Sequence, residues 1–163
     1  MVKKTIYILL AALAVVLLVR HFFPGDEQKI RQQFTRLAGY ASRPAGEKTL
    51  AGLQRASAVS RLFMDRAHID VAEAGLAGEY DRQEIRTLAL MFRNRFARLS
   101  VECVDLTVSL DRDQAHVTAT CRAVGTAGGE RVRETREIRA DLVRGREDDW
   151  LFSGFAFVPV LQR

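Results

Sequence analysis

Several things that would assign a chemistry quickly are scarce or missing in this chain. There are 2 cysteines and 3 histidines, and His21, His68 and His116 show no metal-ligand spacing. No glycine-rich loop precedes a helix, which removes the common phosphate cradles. Ser153, in Phe152-Ser153-Gly154, lacks the strand-to-helix turn of a nucleophile elbow. Lys and Arg number 25 against 20 Asp and Glu, but the two signs are interspersed. Without a basic block or an aromatic–basic motif, the sequence pI of 9.7 does not make a nucleic-acid binder. Internal repeats and low-complexity tracts are absent too, so one domain plus a leader segment accounts for the 163 residues.

What is present begins with an uncharged apolar run, Thr5 to Val19, after Lys3-Lys4 and before Arg20-His21-Phe22-Phe23. A cleaved signal peptide needs small residues near the end of the run, and that end is bulky. The expectation is therefore a retained signal-anchor over residues 1–23, followed by a domain over 24–163. At about 1.5 Å per residue the run reaches roughly 22 Å, short of about 30 Å of hydrocarbon. Snorkelling Lys3, Lys4 and Arg20 would make up the difference. The Lys pair places the N-terminus inside, and hence the domain in the periplasm of a bacterial inner-membrane protein.

Beyond Pro24-Gly25, a helix is predicted over 26–41, with Ile30, Phe34, Leu37, Ala38 and Ala41 on one face. A second helix spans about 47–63, with Leu50, Leu53, Val59, Leu62 and Phe63 inward. His68 to Val71 is a short strand, and Gly75 and Gly78 mark a loop. Asp81-Arg82-Gln83-Glu84 opens a third helix through a variant capping box. Its apolar stripe is Ile85, Leu88, Ala89, Phe92, Phe96 and Leu99. Arg82, Arg86, Arg93, Arg95 and Arg98 lie mostly off that stripe and read as a solvated face.

Val101 to Val124 alternates apolar and polar residues on both sides of the turn Asp111-Arg112-Asp113-Gln114. This is a long β-hairpin with one buried face. Pairing Leu110 with Ala115 sets Val104 opposite Cys121, Leu106 opposite Ala119 and Val108 opposite Val117. In that register Cys121 points inward and Cys103 outward, so two unpaired thiols are expected. Pairing Ala123 with Val132 then brings Glu134 and Arg136 to the inner face, either at a pocket mouth or in water where the sheet overruns the helices. Arg131 to Val143 and Trp150 to Val160 complete four long strands.

The order helix, helix, short strand, helix, four long strands resembles the nuclear-transport-factor-2-like superfamily, a cystatin-like α+β cone. The likeness rests on Gly78-Glu79-Tyr80-Asp81-Arg82-Gln83-Glu84-Ile85, on Leu110 to Val117 (LDRDQAHV), and on Arg146-Glu147-Asp148-Asp149-Trp150. It implies a curved antiparallel sheet wrapped around three helices, often with a pocket in the cone. With its anchor, the chain also looks in outline like a core component of type IV secretion machines. The superfamily holds isomerases, cyclases, dehydratases and non-enzymes, so the fold does not supply the activity.

Ketosteroid-isomerase chemistry needs a carboxyl group in an apolar pocket with its pKa raised. No residue here stands out for that role, and no cofactor or metal is expected. Asp70 on the short strand reads as a solvated turn carboxylate. The favoured expectation is a non-catalytic, membrane-tethered domain that associates with a protein partner or with itself. Its surface would be the outer sheet face around Val101, Cys103, Thr107, Thr118, Thr120 and Thr135. The alternative is a carrier or sensor of a small apolar ligand, with pocket candidates Phe34, Tyr40, Phe63, Phe92, Phe96, Cys121, Glu134, Arg136 and Trp150. The third reading is an isomerase- or cyclase-type enzyme.

Overall fold

The structure, a computed structural model, describes residues 25–158. Helix α1 spans Asp26–Ala41, α2 Thr49–Arg61 and α3 Arg82–Asn94. The strands are β1 Phe63–Val71, β2 Leu76–Asp81, β3 Arg98–Asp111, β4 Gln114–Ala127, β5 Glu130–Arg144 and β6 Trp150–Phe157. They form one sheet in the order β2-β1-β6-β5-β4-β3, in which only β1 and β6 run parallel. The helices cover its concave face, giving the α+β cone that the element order implies.

The expected transmembrane helix is not borne out. Among the described residues no helix is long and apolar enough to cross a membrane, and residues 5–19 lie outside the described residues. The membrane partner, the signal-anchor and the inner-membrane, periplasmic placement all followed from that helix and are withdrawn with it. The protein-partner or homodimer reading loses the tether as one of its grounds.

Local chemistry explains most of the elements. Asp81 Oδ1 accepts from the N–H groups of Gln83 and Glu84 at 2.8 Å each, and Asp81 N–H donates to Glu84 Oε2 at 2.8 Å. The capping box therefore starts α3 where the sequence places it, satisfying donors a helix cannot satisfy itself. The segment read as a loop around Gly78 is instead β2, paired with β1 from Arg66↔Asp81 to Val71↔Leu76. Two glycines masked a strand whose ladder comes from its neighbour.

Helix α2 corrects a second expectation. Leu50 and Leu53 are exposed, and the buried residues are Gly52, Ala56, Ala58, Val59 and Ser60. Small side chains let α2 approach its neighbours closely, so its contact face follows size rather than hydrophobicity.

The third correction concerns the β3–β4 register. Leu110↔Ala115 and Val108↔Val117 pair as expected, but the register shifts between Val104 and Thr107. Asp105, with φ of 54°, occupies a left-handed conformation there. This β-bulge inserts a residue and reverses the facing of everything before it. Cys103 now lies opposite Cys121, with Cα atoms 4.1 Å apart, and the two form a disulfide. The expectation of free thiols fails because a uniform register was carried through a bulge. The β4–β5 hairpin is also longer than expected. Gly125, not Ala123, pairs with Val132, which moves Cys121 opposite Arg136 and Ala123 opposite Glu134. A Cβ at Gly125 would stand 2.5 Å from the Arg98 carbonyl, so only glycine admits that approach of β3.

The deep cone is filled. Ile30 and Phe34 of α1 meet Phe63, Val117, Ile138, Leu142, Trp150 and Phe152 in one cluster. The Phe152 ring lies 5.2 Å from both the Phe34 and Phe63 rings. Burying side chains of this size stabilises by about 1.5–3 kcal/mol each.

Candidate functional site

The two ends of the cone differ in chemistry. At the end formed by the β3–β4 and β5–β6 turns, Arg144 pairs with Asp26 at 2.7 Å and with Asp113 at 3.0 Å, and also bonds Asp148. Its guanidinium lies 5.0 Å from the centre of the Trp150 ring, whose Nε1 donates to Asp26 at 3.3 Å. Lys29 adds a second cation on Asp148. The hydrogen bond from Arg144 holds the Asp26 carboxyl below its ordinary range. Lys29 and then Arg144 do the same for Asp148. The Arg144 pKa is raised in return, chiefly by Asp26. Carboxylates held in the charged form stabilise a fold and are the opposite of a general acid waiting to be used.

At the other end the concave face grades from dry to wet. Along β5, Ile138 is buried, Arg136 half-buried and Glu134 exposed; along β4, Ala119 is buried while Cys121 and Ala123 are half-buried. Around them Tyr40 of α1, Val71 of β1, Leu76 of β2, Leu88 of α3 and Phe157 of β6 pack against the core without being covered. Phe155 and Phe157 share this face, their rings 5.9 Å apart, because the register shift between Asp141 and Leu142 turns both inward. Arg136 Nη2 reaches Glu73 at 2.9 Å, on the short 3₁₀ turn Ala72–Ala74 between β1 and β2. Its Nε is buried and has no partner among the described residues.

The candidates inferred from sequence therefore divide. Phe34, Phe63 and Trp150 belong to the filled core. Tyr40, Cys121 and Arg136 gather at the open end, and Glu134 lies beyond them in water. Phe92 is 41% exposed and meets Phe96 at 5.5 Å, at the rim beside Gly125. Thr107 and Thr118 pair on the convex face, Thr120 and Thr135 share it, and Arg122, Glu137 and Arg139 surround them. Val101 and Cys103 do not belong to that face, because the bulge at Asp105 turns them inward. Asp70 is exposed.

One residue was misplaced outright. Arg93, read as solvated, has a side chain only 1% exposed, and its Nη2 stands 2.6 Å from both oxygens of Glu47, itself 4% exposed. Arg93 also donates to the carbonyls of Tyr40 and Ser42. This clasp ties the end of α1 and the start of α2 to the end of α3 and so shapes the rim. A signal was present: Arg93 follows Phe92 within the apolar stripe of α3, where a cation is buried only if paired.

Two surface depressions lie elsewhere on the described residues. One of about 240 Å³ lies over His116, Asp141 and Ser153, where His116 Nδ1 and Asp141 Oδ1 are 2.6 Å apart and both side chains are largely exposed. The other, of about 200 Å³, lies between Arg43, Lys48, Leu53 and Leu90.

Comparison with known proteins bears on fold and family. No curated protein matches the chain. A protein of known structure from Kribbella flavida is 19% identical and superposes with a TM-score of 0.69, covering 85% of this chain and 93% of its own. An NTF2-like protein with a cystatin-like fold from Novosphingobium aromaticivorans is 18% identical with a TM-score of 0.67, over 94% and 92% of the two chains. A provisionally assigned dehydratase of the NTF2-like family from Streptomyces avermitilis is 14% identical with a TM-score of 0.66, over 84% and 98%. At these identities the likeness shows the fold alone. Residues 26–155 match the SnoaL-like domain, which is most of the chain, and the chain belongs to that family.

Proposed function

We propose that this domain binds a small, mainly apolar molecule at the open end of its cone and acts as a carrier or sensor. The observation that carries this reading is the half-buried apolar lining at that end. Tyr40, Val71, Leu76, Leu88 and Phe157 lean on a filled core yet keep surface exposed on a concave face. Apolar surface left uncovered in a concavity, beside one polar group, is what a small-molecule site requires.

Acid–base turnover is the second reading. The dehydratase name of the Streptomyces avermitilis relative favours it. Against it, the carboxyls with displaced pKa values, Asp26 and Asp148, are shifted downward and stand at the closed end.

Fluorescence titration with Nile red, a neutral apolar dye, tests the binding reading. Saturable enhancement at one dye per chain is expected. Ala123→Trp, which fills the wet end of the concave face, should weaken it at least about tenfold, or roughly 1.4 kcal/mol, with an unchanged far-ultraviolet spectrum. No saturable binding by the native protein would defeat the proposal.

A further inference from the structure

We infer that the open end selects a monocarboxylic acid with an apolar body, and that Arg136 is the group receiving the carboxylate; the inference rests on the binding reading above. Arg136 stands directly opposite Cys121 on the concave face, so its guanidinium shares that face with the Cys103–Cys121 disulfide and the apolar lining. A guanidinium has five N–H donors in a planar fork. Here Nη2 meets Glu73 at 2.9 Å, while Nε is buried and unpaired among the described residues. A buried donor without an acceptor is costly; the Nε atoms of Arg43 and Arg93 share that state, so what marks Arg136 is its place beside the uncovered apolar lining. An incoming carboxylate would supply the acceptor, and bidentate pairing is the geometry arginine favours.

Glu73 is suited to yield. Its side chain is 58% exposed on a three-residue 3₁₀ turn, and an ion pair of that exposure contributes little. A ligand carboxylate would replace it on Arg136 and leave Glu73 in water. The charge balance also limits the ligand. One guanidinium is flanked by Glu73 and, two residues along the same row of β5, by exposed Glu134. These two carboxylates already outnumber the guanidinium, so a ligand carboxylate pairs there only by sending Glu73 into water, and a dianion would be repelled more strongly than a monoanion. The body must be apolar, because partly buried Phe157 pairs opposite Ile138, next to Arg136 along the inner row of β5, and the paired Val71 and Leu76 flank the turn that carries Glu73.

Isothermal titration calorimetry with decanoate and its neutral isostere decanamide tests this on the full chain. Decanoate is expected to bind about tenfold more tightly than decanamide, the worth of one charge-assisted pair. Arg136→Gln should erase that preference and leave decanamide binding in place. Glu73→Gln, on the exposed turn, should tighten decanoate by about threefold or more and leave decanamide unchanged. Equal affinities for the two probes in the native protein, or no response of decanoate to Glu73→Gln, would overturn the carboxylate assignment while the binding reading stands. Failure of both probes to bind would overturn the binding reading itself.

Discussion

The closed and open ends of the cone each centre on an arginine of β5, eight residues apart in one strand, and the two are used differently. Arg144 is saturated: Asp26, Asp113 and Asp148 accept from it and the Trp150 ring lies beside it. Among the described residues Arg136 has one exposed, replaceable partner and a buried donor with none. Beneath Arg144 the aromatic core is complete, with Trp150 and Phe152 both at 0% exposure. Around Arg136 the apolar residues keep exposed surface. Arg144 locks elements together, whereas Arg136, half-buried beside bare apolar surface with an exposed partner, is open to a second acceptor. The closed end therefore carries stability and the open end has capacity to spare.

Substitutions that break this contrast should have their largest effect in the dry layers. Phe152→Ala removes the ring that joins Phe34 to Phe63 and should destabilise by about 3–5 kcal/mol. The equivalent truncation at the open end, Phe157→Ala, should cost no more than about 1–2 kcal/mol, because that ring is only partly buried. Urea unfolding of both variants checks the pair, and equal losses would erase the distinction between the ends. Glu47→Gln comes next. It leaves Arg93 buried without a countercharge and should cost about 3 kcal/mol in the same assay.

How much of this was legible in the sequence follows from how local each determinant is. Helix α1 and the start of α3 could be read because a breaker, an apolar stripe and a capping box each act within a few residues. The order of elements sufficed for the fold. Register was legible only near the turn, where Leu110↔Ala115 fixes it. The bulge at Asp105 is not encoded by alternation, since an inserted residue leaves the flanking period intact on both sides. That one residue hid the disulfide and moved Val101 and Cys103 to the other face. Strand β2 was hidden because Gly78 within it and Gly75 just before it read as a loop, and its partner lies in β1. The site was half legible. Inner-face parity picked out Arg136 and Cys121, but parity carries no depth, so Phe34, Phe63 and Trp150 could not be told from residues at the rim.

The disulfide gives a prediction of intermediate size. Cys103 and Cys121 are separated by 18 residues and join strands already paired in the sheet. Cross-linking a loop of this length stabilises by about 3 kcal/mol in the chain-entropy view. Reduction should add two hydrogens to the intact mass and lower the unfolding midpoint. Because the bridge lies beside Arg136, reduction should also loosen decanoate binding while leaving the closed end's acid titration untouched. A reduced protein of unchanged stability would mean that the bulge alone holds the register.

The smallest expected effect lies at the closed end and depends on pH. Asp26 has its carboxyl lowered from 3.8, first by the hydrogen bond from Arg144. A carboxylate with a folded pKa below its unfolded one contributes stability that is fully present above the unfolded value. That contribution is lost as pH falls from about 4 through the lower folded value. Asp148, lowered by Lys29 and Arg144, acts in the same direction over the same range. Thermal unfolding should therefore show a flat midpoint from about pH 7 to pH 5 and a decline below pH 4. Asp26→Asn should lower the midpoint at neutral pH by about 3 °C and shallow the acid decline, since the variant has one fewer group to protonate. Arg144 stays charged throughout, because its raised pKa lies far above this window. Arg136→Gln should leave the acid decline unaltered if the two arginines serve separate ends. A decline that shallows equally in Arg136→Gln and Asp26→Asn would show the ends to be electrostatically coupled and would remove the division of labour argued here.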